Sequence, residues 1–549
     1  MSAPDQILDS LRDETSPRTT NKVPLVGLFA SIGNNVNNMV GSGIFSTPGV
    51  VWRLTGSSGA TFLLFFVGAV ISMCGSLIYA EERIMIPEIG AEKAYLEKAF
   101  PEPHNLLSYL FSIAMITIIR PGTIVAVSNI VAQYFLFMFL GIERSVEADY
   151  HPTYFTDWRF WRLRGISLVA LIIATTYHLY SNIIANRINQ ALSIVKMLIL
   201  MVVTLMGIIV LARNTSNWHD AFKSTQREDN VVSVSDYGTA LLTTLFCYEG
   251  WNNINYQLDE VLDVKKNLFR TSVASVGAVG ALYLLVIMSF VSVVPHSYVL
   301  NGHSFGQNET FANTNPNEVI VTLFATFFKN ATTNEKIDDT IPLHQLIQEN
   351  DSHDKLARVF SACVVLSSFG AMAALMWSGA RVIVASAQSE YIPRFSEALR
   401  QRHKERATYT NAFVAQMIWC AIIIILAPTT DPFTFLVSLS QYTILIAYGA
   451  ASVGLLHLRY TEGLDRPTPV PKPVVYAFLL MIALILVVPF TKEKSEFPYV
   501  VSICVIGLAF TAWYWKYYAW NAQSSNLLEP EKQEDIEIET ESKYEESNI

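Results

Sequence analysis

The chain has 549 residues, of which 51% are hydrophobic and 15% charged, with a formal net charge of −9. That balance excludes an ordinary soluble enzyme and points to a protein that crosses a bilayer many times. No nucleotide loop, metal-ligand spacing or nucleophile–base pair stands out, and neither a cofactor nor a nucleic-acid partner is expected.

Residues 1–23 are polar, with Pro4 and Pro17, and read as a disordered tail with no cleavable signal peptide. A span needs roughly 20 apolar residues. Twelve such stretches follow, at about 25–53, 58–82, 104–140, 165–182, 188–212, 237–257, 272–295, 357–389, 409–428, 432–456, 473–491 and 498–518. The first carries Asn34, Asn35, Asn37 and Asn38 on about one helical face, then Gly41-Ser42-Gly43-Ile44-Phe45. The sixth carries Phe246-Cys247-Tyr248-Glu249-Gly250-Trp251. Each run would break its helix at bilayer depth. A break there survives only where it is buried in protein or lines a cavity. Paired breaks in corresponding segments of two halves mark a transporter's substrate site. The expected fold is an all-α membrane protein: a five-plus-five inverted repeat with spans one and six broken, and two further helices at the end.

Twelve spans put both termini on one side. Loops that would face the cytoplasm hold more Lys and Arg than those facing out, which places both ends inside. The loop at 141–164 goes against this, with Arg144, Arg159, Arg162 and Arg164. Glycosylation sequons at Asn214, Asn308, Asn330 and Asn350 all fall in loops placed outside. The loop at 296–356 reads as polar throughout. All five cysteines lie within predicted spans, so neither a disulfide framework nor a metal site is expected. The segment 519–549 is acidic and reads as a solvated inner tail.

Several motifs resemble one family in their order along the chain. They are Met39 to Phe45 with Pro48-Gly49, Tyr79-Ala80-Glu81, Gly90-Ala91-Glu92 to Leu96, and Ile118-Ile119-Arg120-Pro121. Phe246 to Trp251 with Asn252, Asn255, Asp259 and Glu260, and Leu366 to Gly370 through Arg381, complete the set. Over about residues 25–518 the chain resembles permeases of the amino acid–polyamine–organocation superfamily. Within it, the L-type amino acid transporters and fungal methionine permeases look most similar. The resemblance implies one permease domain at 24–518, alternating access, a plasma-membrane location and an amino acid substrate.

Such a substrate brings a carboxylate and an ammonium into a low-dielectric site, where either is costly unless paired. A helix N-terminus offers free N–H groups and a positive dipole end to the first. A helix C-terminus offers carbonyls to the second. The resemblance places the carboxylate on Gly41, Ser42 and Gly43, with Ile44 beside them. It makes Phe246 an aromatic gate, next to Cys247. Asn38, one turn before the break, is a candidate substrate contact, and Asn252 is expected to orient the sixth-span break. Small residues alone would equally read as a helix-packing patch.

Glu249 departs from the L-type pattern, which has a small residue there. It is open to three readings: a polar cap on exposed backbone, a proton carrier, or a contact for a cationic substrate. Lys196 lies deep in the fifth span. By the resemblance its ammonium stands where sodium-coupled relatives hold sodium, which implies sodium-independent transport. Arg120-Pro121 reads as structural, a kink tied to a neighbouring helix. Gln441, Tyr442 and Thr443 fall near the family's side-chain pocket. Residues 141–164 lack the cysteine that joins heteromeric relatives to a heavy chain, so no disulfide-linked partner is expected.

The functional expectation is transport of large neutral amino acids such as methionine or leucine, with a proton favoured as coupling ion and exchange left open. One alternative is a cationic amino acid or amine permease with Glu249 as counter-ion. Another is an amino acid sensor with little transport.

Overall fold

The computed structural model describes residues 28–519, apart from 89, 149–157, 181, 224–231, 257–263, 301–318, 334–350, 393, 404–407, 428–431, 462–468 and 492–496. Both tails, the sequons at Asn308 and Asn350, and Asp259 and Glu260 lie outside the described residues.

Among the described residues, eight continuous helices are long and apolar enough to cross a membrane. Two shorter apolar helices, Thr410–Leu426 and Lys472–Val487, stand where the ninth and eleventh spans are expected. The remaining two spans are interrupted. The first consists of Leu28–Met39 and Gly43–Thr55, separated at Val40, Gly41 and Ser42. The sixth consists of Val234–Cys247, a turn over 248–252, and a short 3-10 segment, Asn253–Tyr256. Every one of the twelve expected spans therefore has a counterpart. No strand occurs among the described residues.

Local chemistry sets the ends of these elements. The second half of the first span stops at Gly56, whose left-handed φ of 63° lets its N–H bond the Trp52 carbonyl. Ser57 then opens the second span, Ser58–Met85, by accepting the Ala60 N–H at 3.2 Å. The sixth span opens with a capping box formed by Ser233 and Asp236. In the third span, Leu106–Ala114 passes through a π-helical turn, Met115–Ile119, into a helix that begins at Arg120. Pro121 has no N–H to give Thr117, whose carbonyl instead accepts Trp419 Nε1 at 2.9 Å.

The third span packs along the eighth, with the fourth and ninth against them. The seventh packs on the second, the fifth and the first half of the first. The second half of the first lies on the sixth. The two broken spans thus share one bundle with the second and seventh. The loop at 296–356 is not polar throughout. Val319–Thr333 forms a helix that buries Ile320, Leu323, Phe324 and Phe327, and Phe324 meets Phe290 and Phe360 edge-on. Its apolar run is too short to span, and burying it on the seventh and eighth spans is the available alternative to exposing it to water.

One polar clamp ties the end of the second span to the end of the tenth. Glu81 Oε1 accepts Arg459 Nε at 3.0 Å, Glu81 Oε2 accepts Arg459 Nη2 and also the Val470 N–H at 2.6 Å, and Arg459 Nη2 reaches the Val470 carbonyl at 2.9 Å. Both side chains are buried. Glu81→Ala leaves Arg459 buried without its carboxylate and is expected to destabilise the fold by about 3–5 kcal/mol. A thermal melt of the purified protein in detergent, compared with Glu81→Gln as a milder loss, checks this. An unchanged midpoint for Glu81→Ala would rule the clamp out as a support.

Candidate substrate-binding site

The two breaks face each other. A methyl group on Gly43 would lie 2.8 Å from Cα of Cys247, so glycine is what lets the second half of the first span touch the sixth-span backbone. Cys247 Sγ meets Thr47 Oγ1 at 2.5 Å, which commits its thiol to this contact. Gly250 has φ of 104°, and a Cβ there would stand 2.5 Å from the Asn38 carbonyl oxygen. The first break thus sits wedged between Cys247 and Gly250.

Carbonyls at the end of Leu28–Met39 and in the break that follows each accept a bond from the protein. Met39 receives Tyr283 Oη at 3.0 Å, Val40 receives Lys196 Nζ at 2.9 Å, and Gly41 receives Ser367 Oγ at 3.3 Å. Lys196 also donates to Asn37 Oδ1 at 3.2 Å and is fully enclosed. A cation at a helix C-terminus is favourably placed by the dipole.

The opposite pole is the N-terminus of Gly43–Thr55. Its first N–H groups have no carbonyl within the helix to bond. The Ser42 hydroxyl is buried there without a partner, as is Nδ2 of half-buried Asn38. Pro48 lacks the N–H that would bond the Ile44 carbonyl, so polar backbone of both signs is left near the break. Phe246 is buried and meets Phe433 of the tenth span edge-on, with ring centroids 5.7 Å apart. Trp251 packs between Tyr79 and Tyr448, with centroids 4.9 and 5.0 Å away.

Two candidate residues point elsewhere. Asn252 Nδ2 donates to Glu92 Oε1 at 2.5 Å, and Tyr256 donates its hydroxyl to the other carboxylate oxygen. Glu92 opens the helix Glu92–Ala99, between the second and third spans. Burial pushes its carboxyl above the ordinary range, while the bonds from Tyr256 and Asn252 oppose the rise. Asn252 therefore anchors the end of the sixth span to that helix. Glu249 turns toward the third and tenth spans. Its Oε1 lies 4.0 Å from Arg120 Nη1, and its Oε2 accepts Gln441 Nε2 at 3.2 Å. Arg120 Nη2 donates to Asn253 Oδ1 at 2.9 Å.

So Asn38, Gly41, Ser42, Gly43, Ile44, Phe246 and Cys247 converge at the paired breaks, and Lys196 caps one pole from the fifth span. Tyr283 escaped the sequence reading, since a lone tyrosine in an apolar run carries no signal of the carbonyl it will reach. Arg120 was read only as a helix tie, although a buried arginine asks for a counter-charge.

The family model for amino acid permeases matches residues 25–510. This chain belongs to the amino acid permease family. It is a multi-pass membrane transporter and not an enzyme. The permease is 23% identical to human b(0,+)-type amino acid transporter 1 over 502 residues, covering 90% of this chain and 88% of that one. It is 24% identical to the mouse large neutral amino acids transporter small subunit 2 over 489 residues, covering 88% and 78% of the two chains. The human form of that subunit is 25% identical over 491 residues, with the same coverage. The family match extends across both breaks.

Proposed function

We propose that this permease carries large neutral amino acids, methionine or leucine foremost, across the plasma membrane with both termini in the cytoplasm. The observation that carries the reading is the N-terminus of Gly43–Thr55, with its unpartnered Ser42 hydroxyl, set against the backbone of the sixth-span break. That pole suits a carboxylate. Carbonyls near Phe246 at the end of Val234–Cys247 suit the ammonium, and Phe246 closes over the bound molecule. The bundle of spans one, two, six and seven then rocks against spans three, four, eight and nine.

Lys196 Nζ donates to the Val40 carbonyl and fills the space beside it, which supports transport without sodium. A proton is the proposed coupling ion. The cationic alternative needs a free carboxylate at Glu249, and the nearness of Arg120 favours the neutral substrate instead. Relatives named as small subunits are, by that name, parts of a larger assembly. Residues 141–164 of this chain contain no cysteine, and the permease is taken to work without a disulfide-linked partner.

Uptake of labelled methionine, leucine and lysine by permease-deficient yeast expressing the full chain tests this, at acidic and near-neutral pH, with and without sodium. Acid-stimulated, sodium-independent methionine or leucine uptake is the expected result. Lysine uptake in place of both, or strict dependence on sodium, would overturn it.

A further inference from the structure

We infer that Glu92 is a proton-operated latch: as a carboxylate it ties the end of the sixth span to the helix Glu92–Ala99, and on taking up a proton it lets that end go. This deepens the reading above and rests on the rocking motion proposed there. The latch lies across the two bodies that must part. Asn252 and Tyr256 belong to the sixth span, in the bundle with spans one, two and seven. The helix Glu92–Ala99 packs instead on Leu106–Ala114 of the third span and on the tenth span, which itself lies along the third. Between these bodies stand the bond from Asn252 Nδ2 to one carboxylate oxygen, at 2.5 Å, and the bond from the Tyr256 hydroxyl to the other.

Both partners donate, which suits a carboxylate that can only accept. A carboxylic acid keeps one oxygen for its own proton. At most one of the two bonds then survives as it stands, and that one loses its charge assistance. The charged groups facing Glu92 oppose one another. Arg120 of the third span attracts the carboxylate, and Glu82 of the second repels it. The phenols of Tyr79, Tyr95 and Tyr448 also face it, Leu106–Ala114 carries no charge, and Lys93 is paired with Glu97 instead. Burial outweighs the attraction, so Glu92 takes up its proton above the ordinary carboxylate range. Acid thus opens the latch and neutral pH closes it.

Two further features fit a moving joint. Gly90, at φ of 119°, and Ala91, at φ of 47°, directly precede Glu92. An alanine in that region is strained and persists only while its surroundings hold it, so losing the latch favours movement there. Tyr79 Oη, Tyr95 Oη and Glu82 Oε2 are buried around Glu92 without a protein partner. Such atoms suit bridging water, through which a proton can reach an enclosed carboxyl.

The test uses the purified full chain in liposomes loaded with unlabelled methionine, and follows exchange for labelled methionine. The same pH is set on both faces, so that no proton gradient drives the exchange. The wild-type chain should exchange at least about threefold faster at acidic than at near-neutral pH. Glu92→Gln, which cannot become a carboxylate, should bring that ratio to about one, with exchange at near-neutral pH as fast as the wild type shows in acid. Tyr256→Phe removes a bond that favours the carboxylate, and should move the midpoint of the acid stimulation up by about one pH unit. A merely structural role would lower exchange without moving that midpoint. If Glu92→Gln does not fold, the Tyr256→Phe midpoint decides. Wild-type exchange that ignores pH overturns the latch and leaves the neutral-substrate reading standing. A wild-type acid ratio in Glu92→Gln, or an unmoved midpoint in Tyr256→Phe, also overturns it. Absence of any exchange by the wild-type chain would remove the reading on which the latch rests, and the latch with it.

Discussion

Gly250→Ala is expected to lower amino acid uptake by at least about tenfold at an unchanged surface amount, because two separate penalties meet at one atom. Gly250 sits at φ of 104°, a conformation that side-chain-bearing residues rarely adopt. A non-glycine residue there costs about 1–3 kcal/mol in backbone strain. The new methyl would also stand 2.5 Å from the Asn38 carbonyl oxygen and 2.9 Å from its carbon, both backbone atoms that cannot swing aside as a flexible side chain would. Overpacking of this kind adds about 1–3 kcal/mol. Relief requires the sixth-span turn to move away from the end of Leu28–Met39, which pulls apart the two poles that would hold the substrate. Gly33→Ala, in the same inner half-helix with nothing within 4 Å, is the matched control and should leave uptake unaltered. Equal uptake by the two variants would show that the breaks need not touch for transport.

Lys196→Met should reduce uptake by about 10- to 100-fold. Hydrogen bonds from a charged donor contribute about 1.5–3 kcal/mol each, and the Val40 carbonyl and Asn37 Oδ1 both lose theirs. Methionine keeps the length and apolar character of the stem, so packing alone is little changed. Lys196→Arg is not expected to rescue. A methyl on neighbouring Gly370 would already approach Lys196 Cε at 3.1 Å and Leu192 Cβ at 3.2 Å, so the larger guanidinium has no room. Initial-rate uptake, normalised to surface amount, measures both variants. Lys196→Met activity within about twofold of wild type would show that the Val40 carbonyl needs no fixed cation.

The place of each break was legible along the chain. The Gly41-Ser42-Gly43 run and the Glu249-Gly250 pair each interrupt a long apolar run, and the helices do stop at Met39 and Cys247. The twelve apolar stretches were likewise legible, because a bilayer sets a length that local hydropathy must meet. The helix Val319–Thr333 was missed. Its apolar run is short, lies between polar segments, and becomes recognisable only once the seventh and eighth spans offer it a surface.

Partners were the part that local pattern did not carry. Glu249 stood out as a charge in a span, but Arg120 lies more than a hundred residues earlier, and nothing in either neighbourhood predicts that they meet. Asn252 was legible as a polar residue at a break, while its bond to Glu92 depends on how an inner-loop helix docks. Tyr283 gave no sign of the Met39 carbonyl it reaches.

The sequence by itself determined the membrane class, the number of spans, the two places where helices break, and the residue types available there. Those follow from interactions within a few residues: backbone freedom at glycine, hydropathy over a bilayer's width, and capping at helix ends. Only the tertiary structure decided that the breaks touch at Gly43 and Gly250, that Lys196 reaches the Val40 carbonyl, and that Glu249 stands against Arg120. Those contacts join spans far apart in the chain, and they are selected by packing and charge pairing in three dimensions.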